Sequence, residues 1–266
     1  MLRDITLGQY FPGESPIHRL DPRTKIIATM IYLLSLFFVN SFAGFGVALI
    51  FLAICVKISG VPVKFMLKGL KTIFLIVIFT FLLNVFMTPG TVLWSFGFLR
   101  VTREGLYTGV FMVVRLALLI VGSSLLTLAT KPISLTDGIE ALLRPLQRFG
   151  VPAHEVAMMM SIALRFIPIL IEETDKIMKA QMARGADFES GNLLQRAKSL
   201  IPLLVPLFIS AFRIAVELAM AMEARCYRGG ENRTRLHPMA YGKGDRVAAV
   251  VLVIYLLILA GLRFIM

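Results

Sequence analysis

The sequence predicts an all-α polytopic membrane protein with about five transmembrane helices and a helical cytoplasmic region, and three observations predict it. Hydrophobic residues make up 58% of the 266 residues and charged residues 17%, with a mean hydropathy of +0.81, which is too apolar for a soluble domain. Apolar stretches at 26–39, 42–56, 72–88, 105–130 and 247–262 approach or reach the length that crosses ~30 Å of hydrocarbon. Lys and Arg outnumber Asp and Glu by 28 to 16 and gather on one side of these stretches. The formal net charge of +12 therefore reads as a topology signal against the cytoplasmic leaflet rather than as nucleic-acid binding. Cys55 and Cys226 offer neither a disulfide framework nor a metal-ligand spacing.

Residues 1–130 are expected to hold a cytoplasmic N-terminal tail and four transmembrane helices. The tail is polar, carries Pro12, Pro16 and Pro22 and lacks the apolar core of a signal peptide. In LDPRTK, Asp21 can cap a helix that Pro22 begins, while Arg23 and Lys25 are expected at the lipid headgroups as anchors. Spans 26–39 and 42–56, broken at Asn40-Ser41, read as a hairpin. The return loop 57–71 has Lys57, Lys64, Lys68 and Lys71 and no acid, which places it in the cytoplasm. Span 72–88 ends at Thr88-Pro89-Gly90, and VLWSFGFLR after it has the aromatic content of an interfacial segment, putting Arg100, Arg103 and Glu104 outside. The fourth span contains Arg115, expected to be buried against a carboxylate or carbonyl inside the bundle.

Residues 131–246 mix charges with apolar positions and are expected to be cytoplasmic. An amphipathic helix is predicted over 134–149, closed by Gly150 and Pro152. Two longer helices, 153–184 and 198–225, are of membrane length, yet the first carries Arg165, Glu172, Glu173, Asp175, Lys176 and Lys179, and the second Arg213, Glu217 and Glu223. Lipid-facing spans rarely hold so many charges. Because the apolar half comes first in each, each is expected to start near the membrane and descend into water; Arg213 and Glu217 are spaced to pair along one face. Met158, Met159, Met160, Met178, Met182, Met220 and Met222 suit adaptable packing. A polar connector, 226–246, leads to the last transmembrane helix within 247–266.

Each long helix ends in a related tip: Ala183-Arg184-Gly185 in the first, Ala224-Arg225-Cys226 in the second. Small neighbours let another backbone approach and leave the guanidinium exposed, and its planar fork suits carboxylates and carbonyls. One Arg-Gly would read as an ordinary helix C-terminus. Two copies on comparable helices, with Ala180 and Ala221 upstream of each, point to two equivalent receptors.

The segment GQYFPGESPIHRLDPRTKI, the paired Ala-Arg tips and the order of spans together resemble the transmembrane T component of energy-coupling factor (ECF) transporters. The resemblance covers nearly the whole chain. It implies a non-catalytic coupling scaffold without cofactor or metal in a bacterial or archaeal cell membrane. That scaffold joins two ABC ATPases to a separate substrate-binding S component for vitamin import. Carried over by motif, the ATPase-docking residues are Ala183, Arg184 and Gly185 in one arm and Ala224, Arg225 and Cys226 in the other; Cys226 departs from the family pattern, where Gly is common.

Other classes fit less well. No G-x-x-x-x-G-K-[ST] phosphate loop is present, and His18, His154 and His237 are not at the spacing of a helical zinc pair. A self-contained secondary transporter and a T component dedicated to cobalt or nickel remain the alternatives; the first would be expected to show inverted repeats around a midplane site.

Overall fold

The structure is a computed structural model that describes residues 10–96, 99–188, 192, 198–229 and 239–265. The first nine residues, His237 and positions 230–238 of the connector, together with Gly97, Phe98 and Met266, lie outside the described residues. Two compact units emerge: one formed by residues 8–138 with 238–266, the other mainly by residues 139–237.

In the first unit the helices are α1 (Pro22–Phe38), α2 (Phe42–Ser59), α3 (Val63–Met87), α4 (Arg103–Ala129) and α8 (Lys243–Ile265). Their starts follow local chemistry. The Ser41 hydroxyl caps α2 by accepting from the Gly44 N–H, and the Thr102 hydroxyl caps α4 by accepting from the Gly105 N–H while donating to the Thr88 carbonyl. Around Tyr32, Leu36, Phe45, Ala48, Leu52, Phe111, Leu118, Leu252 and Tyr255, α1, α2, α4 and α8 share one buried core. Gly122 of α4 is what lets α1 approach: a Cβ there would lie 2.6 Å from the Tyr32 ring. Ser35 and Tyr255 hydrogen-bond at 2.8 Å inside this core and tie α1 to α8.

Three local expectations change. Residues 57–71 are not a loop, because α3 begins at Val63 and puts Lys64, Lys68 and Lys71 on its first turns; α3 then bends by 59° between Lys71 and Ile73, where its apolar run starts. The aromatic segment after α3 is an antiparallel hairpin, β1 (Val92–Phe96) and β2 (Leu99–Thr102), in the register Val92 with Thr102 and Phe96 with Leu99. The amphipathic helix, α5, runs from Pro132 to Leu143 and then tightens into a 3₁₀ turn over Arg144–Phe149. Pro145 explains the break, since it has no N–H to continue the α ladder and restricts Arg144 before it. Gly150, at φ 84°, ends the turn.

In the second unit, α6 (Ala153–Ala183) and α7 (Ile201–Ala224) pack on one another. Their shared face is apolar, with Ile162, Phe166 and Leu170 of α6 against Ala211, Ile214, Ala215 and Leu218 of α7. Ser210 of α7 donates to the Glu173 carboxylate at 3.3 Å.

Five helices are long and apolar enough to cross a membrane: α2, α4, α6, α7 and α8, with bent α3 a sixth if it counts as one span. The number agrees with the sequence reading but the membership differs. α1 has 17 residues, roughly 25 Å at 1.5 Å per residue, just short of a full crossing. α6 and α7 qualify because their charges leave one apolar window each.

Candidate functional site

Both tips close in the same backbone motif. At the end of α6, the Gly185 N–H donates to the Met182 carbonyl at 2.9 Å and the Ala186 N–H to the Gln181 carbonyl at 3.0 Å. At the end of α7, the Cys226 N–H donates to Glu223 at 2.8 Å and the Tyr227 N–H to Met222 at 3.0 Å. This is the paired-bond Schellman ending, which needs a left-handed residue just past the cap. Gly185 supplies it at φ 90° and Cys226 at φ 55°, the one non-glycine with positive φ among the described residues. Arg184 and Arg225 occupy the same cap position, at φ −88° and −92°. Ala183, Arg184, Gly185, Ala224, Arg225 and Cys226 are all exposed.

The two helices run antiparallel. Along α7, Ser210 meets Glu173 of α6, and further on Tyr227 lies 3.5 Å from His154 Nε2 and 3.4 Å from the Met158 sulfur. As α7 advances from 210 to 227, its neighbours on α6 retreat from 173 to 154. Arg184 therefore stands at one end of the pair and Arg225 at the other, separated by about the length of the 31-residue α6, on the order of 40 Å. The antiparallel course sets the apolar half of α6 beside the charged half of α7, so their polarity gradients oppose one another.

The outward face of α7 presents Leu204, Val205, Phe208, Ile209, Phe212, Val216 and Met220, all exposed, with Phe208 and Phe212 ring to ring at 4.9 Å. Met159, Met160, Met182 and Met220 are exposed, whereas Met158, Met178 and Met222 are half-buried. Among the described residues the ion pairs do not include Arg213 with Glu217; Lys176 with Glu173 is the i, i+3 pair found, at 3.7 Å.

In the first unit, LDPRTK builds a buried node. Asp21 caps α1 by accepting from the Arg23 N–H, Pro22 starts the helix, and the Arg23 guanidinium clamps the same carboxylate at 3.0 and 2.9 Å. That clamp holds the Asp21 carboxyl below the usual carboxylate range despite burial, which acts the other way. Arg23 also lies 4.0 Å over the Tyr241 ring. The Lys25 ammonium donates to the His18 carbonyl at 2.9 Å and the Ala129 carbonyl at 3.1 Å. Arg23 and Lys25, the expected anchors, thus each find fixed acceptors within the protein. Asp245, which the sequence reading did not single out, completes the node: its carboxylate accepts from the Asp21 N–H at 2.9 Å and the Gly242 N–H at 2.8 Å. Arg115 donates to the Val39 carbonyl at 3.0 Å, its guanidinium near the Phe111, Phe45 and Phe37 rings. No group of three or more His, Cys, Asp or Glu among the described residues could hold a metal ion.

Comparison with known proteins bears on these features. The family model described as CbiQ, cobalt transport protein, matches residues 13–236. The energy-coupling factor transporter transmembrane protein EcfT of Thermosediminibacter oceani is 60% identical over 249 residues, 94% of each chain. The protein of the same name from Acidaminococcus fermentans is 54% identical, covering 99% of this chain and 98% of its own. That of Bacillus subtilis is 48% identical, covering 99% and 100%.

Proposed function

The chain belongs to the CbiQ/EcfT family, the transmembrane T components of ECF transporters, and is a multi-pass membrane protein; from that premise we propose that it is the non-catalytic scaffold that couples two ABC ATPases to a substrate-binding membrane partner for vitamin uptake. One observation carries the coupling role. Two equally built arginine tips stand at opposite ends of one antiparallel helix pair, an arrangement suited to gripping two separate subunits rather than one.

In this reading residues 1–130 and 247–266 are the membrane part and 131–246 the cytoplasmic part, with the N-terminus inside. Ala183, Arg184 and Gly185 enter a groove on one ATPase, and Ala224, Arg225 and Cys226 a groove on the other. Each guanidinium meets carboxylates or carbonyls there, and the small neighbours permit close approach. ATP binding draws the ATPases together, the tips follow, and α6 and α7 turn about their apolar crossing. The exposed apolar face of α7 passes that motion to the S component. The bilayer is the remaining partner, and the location is the cell membrane of a bacterium or archaeon.

A narrower reading is a scaffold dedicated to cobalt or nickel uptake, and the family description names cobalt transport. The names of the similar EcfT proteins specify no solute, and a scaffold need not touch its cargo. Radiolabelled uptake by the reconstituted complex, supplied in turn with vitamin- and metal-binding S components, separates the two. The chain alone in liposomes should neither transport nor hydrolyse ATP; solute uptake by it alone would overturn the scaffold reading. Arg184→Glu with Arg225→Glu should abolish co-purification of the ATPases while the membrane part stays folded, because a charge reversed inside an interface leaves its partner unpaired.

A further inference from the structure

The two tips are matched through their arginines, carry Gly185 and Cys226 at the left-handed position that follows, and differ again at the second residue after each arginine. That position is Ala186 in the first tip and Tyr227 in the second. Ala186 carries no polar side-chain atom. The Tyr227 hydroxyl reaches back to the start of α6, 3.5 Å from His154 Nε2 and 3.4 Å from the Met158 sulfur. On its other side the His154 ring meets Glu140 of α5, Nδ1 to Oε1 at 3.1 Å. The His154 and Glu140 side chains are only 23% and 18% exposed, so water competes weakly for these contacts.

The chemistry gives the chain of groups a direction. A carboxylate only accepts, so Glu140 takes the Nδ1–H of His154; a neutral imidazole then turns Nε2 as an acceptor toward the Tyr227 hydroxyl, whose single proton it shares with the Met158 sulfur. Three elements are joined in one line: the last turns of α5, the first turn of α6 and the residue that closes the Arg225 tip. The Tyr227 N–H makes the longer of the two Schellman bonds, so fixing its side chain also fixes the backbone that carries Arg225.

We propose that Tyr227, His154 and Glu140 form a clasp that positions the Arg225 tip. The consequence for assembly rests on the docking role proposed above: the receptor of Arg225 meets a pre-oriented cation, which lowers the ordering cost of binding. The clasp itself is tested without ATPases, so its failure is separable from failure of the docking reading.

The test uses the full-length chain in lipid nanodiscs with Cys55→Ser, spin-labelled at native Cys226 and at Lys179→Cys. The rise of α6 puts these labels on the order of 35 Å apart, within range of pulsed dipolar spectroscopy. With the clasp intact, one narrow distance distribution is expected. Tyr227→Phe and His154→Ala should each broaden it at least twofold, and His154→Gln, which can both donate and accept, should restore most of the narrowing. A second pair, Lys179→Cys with Glu217→Cys in a Cys226→Ala background, reports the helix bodies and should not change. An unbroadened Cys226 distribution in both Tyr227→Phe and His154→Ala overturns the proposal. Broadening of the second pair also overturns it, because the residues would then hold α6 on α7 rather than the tip.

Discussion

At φ 90° for Gly185 and 55° for Cys226, the two tips ask the same left-handed turn of different residues. A side chain in that region costs on the order of 1 kcal/mol, and glycine escapes the cost. Cys226→Gly should therefore stabilise the second tip by about 1 kcal/mol, and Gly185→Ala should weaken the first by a similar amount. Amide exchange at Tyr227 and Ala186, whose N–H groups close the two motifs, reads both changes. Asp21 sets a second residue-level expectation. Its folded pKa lies below the unfolded value because Arg23 clamps the charged form, so its stabilisation is full above about pH 4. It is lost as the pH falls through the lower folded value. An Asp21→Asn variant should show a shallower loss of thermal stability than the parent chain between about pH 5 and 3.

Among the elements, most α helices were legible, apart from the start of α3 and the end of α5, because local rules mark them: Asp21 and Pro22 at a helix start, Gly150 and Gly185 at chain turns, apolar period along α5 to α7. Pro145 was visible too, but whether a proline kinks, ends or tightens a helix depends on what packs around it. Pairings distant in sequence were not legible. Asp245 bonds the Asp21 N–H across 224 residues, and nothing in KGDR itself announces it. The same holds for the antiparallel course of α6 and α7: a gradient of polarity along each helix does not say how the two pair, which the contacts of Ser210 with Glu173 and Tyr227 with His154 show. For the site, residue types and tip positions were readable, and the shared Schellman ending needed backbone angles. The node gives an element-scale test. Asp245→Ala leaves the buried Asp21 N–H without its acceptor and should cost about 1–3 kcal/mol, read as a lower unfolding temperature in detergent, with Asp245→Asn recovering part of it.

For the whole molecule, the membrane assignment turns on α6 and α7. Length and composition would admit both to the bilayer, alongside α2, α4 and α8. Arg165, Glu172, Lys176 and Lys179 on α6 and Arg213, Glu217 and Glu223 on α7 are exposed, and burying that many charges in hydrocarbon is prohibitive. In the proposed reading the pair lies in water, where these charges stay hydrated, with Arg184 at one end of it and Arg225 at the other. The most direct measurement counts ATPases bound to the purified complex by native mass spectrometry without nucleotide, when the ATPases are not held together by ATP. Two are expected on the parent chain, one on either Arg184→Glu or Arg225→Glu, and none on the double variant. Two ATPases retained by the double variant would contradict the account.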